Sequence, residues 1–184
     1  MDQKLSNRLS FGHGLNDVPD IVSTTGYVVW YSMIRRAYSP VYHATKPTYR
    51  EVEVADEWKQ LSGFLPWFDA NYKSGWHLDK DVLGDGKLYS PGTCCFIPAE
   101  LNSLLCKFRK ASGVYFKTRN NKFSAQYSDS STGVRKSIYL GLFDEKEVAQ
   151  RAYEVAKKQH IKVVADKYKD VLQEHVYNRL CDLK

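Results

Sequence analysis

The chain has 184 residues, of which 43% are hydrophobic, 26% charged and 14% aromatic, enough to bury about 70% of the unfolded surface in one or two small domains. Thirteen tyrosines and four tryptophans exclude a disordered chain of low hydrophobicity, and the lack of any run of about 18 apolar residues excludes a membrane-spanning helix. The net charge of +6 is unevenly placed: residues 1–106 hold 10 Lys+Arg against 12 Asp+Glu, and residues 107–184 hold 17 against 9.

Residues 1–26 are polar and aperiodic and are expected to form a loose N-terminal arm, with no apolar stretch of the signal-peptide kind. The apolar spacing of Tyr27 to Tyr38 predicts a short helix ending at Ser39-Pro40. Residues 39–50 contain two prolines and read as loop. Ala55 to Tyr72 carries Trp58, Leu61, Leu65 and Phe68 on one helical stripe, with a kink or a break expected at Pro66. Trp76 to Asp81 reads as a strand, followed by turns at Gly84–Lys87 and Tyr89–Gly92. Thr93 to Ile97 reads as a second strand, and Ala99 to Arg109 as a helix started by Pro98. Cys94 and Cys95 lie in an apolar run and are expected to pack as small hydrophobes. With Cys106 and Cys181 they make no C-x-x-C pair, which argues against a zinc finger and fits a reducing cytoplasm.

In the basic half, Val114–Lys117, Lys122–Tyr127 and Lys136–Leu140 read as three strands, with turns at Asn120-Asn121 and Ser130–Gly133. A long helix is expected over Asp144 to Asp166, its first turn acidic and its stripe lined by Val148, Ala149, Ala152, Tyr153 and Ala156. A last helix is expected over Lys169 to Cys181. Three strands on one helix make a two-layer unit. Phe123, Ala125 and Tyr127 then face the helix, while Lys122, Ser124 and Gln126 face outward. Such a basic face suits a phosphate backbone and the base edges in a major groove. An ordinary charged outer surface is the plain alternative.

Residues 113–161 resemble the APETALA/ethylene-response-factor DNA-binding domain. The marks are Gly113-Val114, Lys122-Phe123-x-Ala125, Tyr139-Leu140-Gly141-x-Phe143, Glu147-x-Ala149 and Ala152-Tyr153-x-x-Ala156. The resemblance implies a sheet that reads double-stranded DNA through Tyr115, Lys117, Arg119, Lys122, Ser124, Gln126, Arg135 and Lys136. Phe123 stands where that family usually has Trp, and Ser137 near where it often has Arg, so its base preference does not transfer.

In the first half, strand alternation places His77, Asp79 and Asp81 on one face, with Leu78 and Lys80 on the other. Asn102 lies in the first turns of the following helix. Hard cations take oxygen ligands such as these, and a metal with a general base can hydrolyse a phosphodiester. LDKDVLGDGKLYSPGTCCFIPAELN (78–102) resembles the HNH endonucleases, particularly phage-encoded homing endonucleases that pair HNH with the domain above. Over residues 27–110 this implies a ββα-metal core, with Asp79, Asp81 and Asn102 holding magnesium or manganese and His77, Asp79, Asp81 and Asn102 as the catalytic set. The general-base His of that family is replaced by Asp79. Either His77 acts instead, or Asp79 is a weaker base, or the protein binds without cutting. Arg36, like Arg35, either contacts phosphate or pairs with acidic neighbours.

The expected fold is therefore α+β: N-terminal helices and an HNH-like core, then a DNA-binding sheet and helix over residues 111–184. The expected function is a metal-dependent DNA endonuclease. The alternatives are a degenerate DNA-binding regulator or phage anti-defence factor, with a host protein as a possible partner, and, on the aromatic surface alone, a protein-binding adaptor.

Overall fold

The structure, a computed structural model, describes residues 9–110, 113–129 and 136–183, with residues 107–110 described by their backbone only. Its class is α+β, with seven α-helices and three small sheets among the described residues. The chain divides into two compact units, Met1–Ile97 and Pro98–Lys184. The division falls one helix before the boundary expected at 110/111.

The first unit is built on helices and on aromatic packing. Helix α1 (Thr25–Tyr38) starts where the Thr24 hydroxyl accepts the Tyr27 N–H, and it buries Trp30, Met33, Ile34 and Ala37. Ser39 ends α1 with extended backbone and then caps α2 (Pro40–Thr45), whose first turn tolerates Pro40 because that position needs no N–H donor. The two prolines of the expected loop instead begin α2 and a 3-10 turn, Pro47–Tyr49. Helices α3 (Asp56–Lys59) and α4 (Leu61–Asn71) split at Gln60 rather than at Pro66, which lies inside α4.

The break at Gln60 has a tertiary cause. Leu15 donates its N–H to the Lys59 carbonyl at 2.8 Å and accepts the Leu61 N–H at 3.0 Å. Asp17 accepts the Ser62 N–H at 2.9 Å. Phe11, Val18 and Ile21 pack against the core. The described part of the expected loose arm is thus part of the fold. The core joins Trp30, Met33, Trp58, Leu61, Phe64, Phe68 and Phe96, and the Trp30 indole N–H donates to the Trp58 carbonyl at 2.8 Å.

Two strand pairs follow. Strand β1 (Glu53–Val54) runs parallel to β3 (Leu88–Tyr89), and β2 (Trp76–Asp79) pairs with β4 (Cys95–Pro98). Neither β1 nor β3 was legible as a strand. Strand β2 stops at Asp79, so Asp81 lies in the turn beyond it. Helix α5 (Ala99–Lys110) comes next in the chain, but the units part at Ile97 and assign it to the second. Strands β2 and β4 are thus paired, and α5 follows β4 directly in the chain. Cys94 and Cys95 are unbridged and buried. Burial pushes the Cys94 thiol up to about 12, consistent with inert packing.

The second unit holds the three-stranded antiparallel sheet in the order β5 (Val114–Lys117), β6 (Lys122–Asp129), β7 (Lys136–Phe143). The Asn120-Asn121 turn is a 3-10 turn closed by Asn121 in the left-handed region. The Ser130–Gly133 turn lies outside the described residues. Strands β6 and β7 are longer than expected, because a bulge at Ala125/Gln126 lets pairing continue from Phe123↔Phe143 to Asp129↔Lys136. Helix α6 (Lys146–Asp166) packs on the sheet and on α5, and α7 (Glu174–Cys181) packs on α6. The last helix starts five residues later than expected, after a turn that buries Leu172. Gly113 sits where any Cβ would overlap the Gln126 carbonyl oxygen and the Tyr153 ring, so a hydrogen there lets β5 lie against α6.

Candidate nucleic-acid interface

Register fixes which side chains share the sheet's outer face. Tyr115 is opposite Ser124, Lys117 opposite Lys122, and Gln126 opposite Tyr139. The inner face carries Ala125, which is fully buried, and Tyr127, whose ring is 5.3 Å from that of His160 on α6. The expected division of faces on β6 thus holds for these residues.

On the outer face Tyr115 and Tyr139 are exposed. The Lys117 ammonium lies 5.7 Å from the Tyr115 ring centroid and 5.9 Å from that of Tyr139. Two aromatic faces therefore bracket one cation, a favourable but weak interaction at an exposed site. The Tyr115 hydroxyl donates to Gln126 Oε1 at 3.2 Å. Lys117 and Lys122 stand directly opposite each other, an arrangement that costs stability in a sheet. Asp144 offsets it from one side, 3.0 Å from the Lys122 ammonium. Arg119 is exposed at the adjacent turn, whereas Lys136, exposed at the start of β7, is opposite Asp129 and so falls on the register side of Ala125 and Tyr127. Tyr115 to Asn120 line a shallow concavity of about 650 Å3. Tyr115, Lys117, Arg119, Lys122 and Gln126 are thus gathered on or beside one surface.

Besides Lys136, one expected contact differs. Ser124 is on the outer side of β6 yet fully buried, because the central strand is walled by its cross-strand neighbours Tyr115 and Leu142. Arg135 lies outside the described residues. Tyr139, exposed on the same face, was not among the expected contacts. Its signal was available, as a large aromatic alternating with the inward-facing Ile138 on a basic strand.

The first unit's candidates are otherwise engaged. Asp79 is 5% exposed and its Oδ1 accepts the N–H groups of Asp81 at 2.8 Å and Val82 at 2.7 Å. It caps the turn that ends β2. Asp81 does not share a strand face with Asp79; its Oδ1 is 2.8 Å from the Lys80 ammonium. His77 is exposed on β2. Asn102 belongs to the other compact unit, with its Oδ1 4.0 Å from Cys106 Sγ. Arg36 stacks over Tyr89 at 5.8 Å and donates its Nε–H to the Ser32 carbonyl at 3.1 Å. Burial works against the Arg36 charge, and the phenols of Tyr89, Tyr49 and Tyr42 outweigh it and raise the pKa. Burial also lifts the Tyr89 phenol well above its ordinary value.

This set does not fit a divalent metal. One carboxylate is committed to backbone N–H groups and the next to an ammonium. Among the described residues no group of three or more His, Cys, Asp or Glu side chains is placed to hold a metal ion. No helix among them is long and apolar enough to cross a membrane. The chain matches no protein-family profile, no curated protein and no solved structure.

Proposed function

We propose that this chain binds double-stranded DNA through the outer face of the β5–β6–β7 sheet, and that its first unit does not cleave. The bracketed cation carries the reading. Lys117 is held between two exposed tyrosines and opposite a second lysine, which disfavours the free sheet and suits a surface that meets phosphate. Lys122 and Arg119 extend the basic track, while Tyr115, Gln126 and Tyr139 offer hydrogen bonds and apolar edges of the kind that read bases. The committed carboxylates of the first unit favour the non-cleaving alternative over phosphodiester hydrolysis.

The test is duplex binding by fluorescence anisotropy across a salt series. If Lys117, Arg119 and Lys122 each neutralise a phosphate, the log–log slope is about −2.7, and affinity falls about 40-fold between about 50 and 200 mM salt. Lys117→Ala lowers the slope to about −1.8. Lys162→Ala, on α6 and paired with Asp166, leaves the slope unchanged. A flat salt response of the unaltered protein would refute the proposal.

A further inference from the structure

Lys80 is the most unusual charge in the first unit. It is 6% exposed, whereas lysines are almost never buried without a partner. Its ammonium lies 2.8 Å from Asp81 Oδ1 and donates to the Gly86 carbonyl oxygen. The rings of Tyr49 and Tyr89 stand 5.1 and 5.6 Å away. Gly86 has φ +81°, and a Cβ there would overlap Asp81 Oδ1. Carboxylate, carbonyl and ammonium are therefore packed as closely as a glycine permits.

A carboxylate and a backbone carbonyl converging across a short loop are the donors a hard cation takes. Here a cation is already present, and it is the chain's own. We propose that the Lys80 ammonium is the resident cation of the 79–86 turn: it stands between the oxygens of Asp81 and Gly86, so that the turn closes without a metal. The neighbouring groups agree with that role. Asp79 fixes the start of the turn through the Asp81 and Val82 N–H groups, which leaves Asp81 directed to Lys80. Tyr49 and Tyr89 present ring faces to the same ammonium, and Arg36 lies over Tyr89 and is hydrogen-bonded to Ser32 and Tyr49. Breaking the pair is costly chiefly through Lys80, which without Asp81 is a buried charge, while the Asp81 side chain keeps 29% of its surface exposed. The inference does not depend on DNA binding, since it concerns the first unit and is read without DNA.

All four tryptophans, Trp30, Trp58, Trp67 and Trp76, lie in this unit, so tryptophan fluorescence of the whole chain follows its unfolding. For the unaltered protein, manganese or a chelator leaves Tm unchanged. Lys80→Ala lowers Tm by about 10 °C. Butylammonium, which restores the missing chain and charge, raises the Tm of Lys80→Ala and not that of the unaltered protein, while butanol at the same concentration does not. Should Lys80→Ala fail to fold, Asp81→Asn carries the test, with a fall in Tm expected because the ammonium loses its anionic partner. The proposal is overturned if butanol rescues as well as butylammonium, if Asp81→Asn matches the unaltered protein, or if manganese raises the unaltered protein's Tm in a saturable way that Asp81→Asn abolishes.

Discussion

Ser124 separates what the sequence resemblance implies from what the fold dictates. The resemblance counts it among the DNA contacts; the structure buries it completely in the central strand, with an Oγ that has no hydrogen-bond partner among the described residues. A hydroxyl buried without a bond costs about 1–3 kcal/mol by protein substitution data. Ser124→Ala removes that cost and forfeits only the dispersion contacts of one atom, each worth about 0.1–0.2 kcal/mol. The net expectation is a gain of about 1 kcal/mol, or about 2–4 °C in Tm. Urea unfolding followed by far-ultraviolet circular dichroism reads this as a higher midpoint at constant slope. Duplex affinity measured beside it stays at the unaltered value, while Lys117→Ala falls. A Ser124→Ala variant that keeps its stability and loses about tenfold in affinity, or about 1.4 kcal/mol, would refute the reasoning, because the hydroxyl would then be reaching DNA.

Gly113→Ala forces a methyl against the Gln126 carbonyl and within 2.7 Å of Tyr153 Cδ2, and it disturbs the Gln126 N–H bond to the Gly113 carbonyl. Overpacking together with a weakened hydrogen bond costs about 3 kcal/mol. Tyr153→Leu in the same chain does not rescue it, because the backbone clash remains; full recovery of the urea midpoint in the double variant would contradict this. His160 lies 3.3 Å from Asp129 Oδ1, beside Lys157 and Tyr127, with Glu100 and Lys167 acting on it from the second unit's other elements. Burial holds its imidazole below the ordinary value of 6.5, Lys157 acts the same way, and Asp129 opposes them. The folded state thus binds this proton less readily than the unfolded one. Its share of stability is full above about pH 6.5 and falls as the pH drops below that, until the folded imidazole itself titrates. Urea midpoints at about pH 7.5 and about pH 5.5 are expected to differ less in His160→Gln than in the unaltered protein, and an equal difference would exclude His160 as the source.

The second unit was largely legible because its signals are local. Val114–Lys117 was readable to its bounds, and the starts of β6 and β7 follow from alternation between turn residues. Alternation also placed Tyr127 and Ala125 toward the helix. What it could not supply is depth: Ser124 and Lys117 share a face, yet only the central strand is walled on both sides. The first unit was less legible because tertiary contacts decide it. Gln60 reads as helix, and it is the backbone of Leu15, bonded on both sides of it, that breaks the helix there. Two-residue strands such as β1 and β3 are too short for any periodicity to mark them.

The stretch Leu78-Asp79-Lys80-Asp81 shows where a face read from strand alternation ends. Strict alternation puts both acids on one face and the lysine on the other, which looks like a metal-ligand pair with an unrelated cation behind it. That holds only while the chain stays pleated. The strand ends at Asp79 because its carboxylate takes the next two free N–H groups, and beyond that point the period of two no longer applies. Lys80 and Asp81 then come together across the turn. Gly84-Asp85-Gly86-Lys87 was the available warning. Glycine in the left-handed region at Gly86 lets the chain turn a carbonyl inward, and a lysine between two aspartates is the nearest cation to receive it. The same letters serve a metal centre when the strand continues and a self-neutralised turn when it stops, so the decisive residue is the one that ends the strand, Asp79.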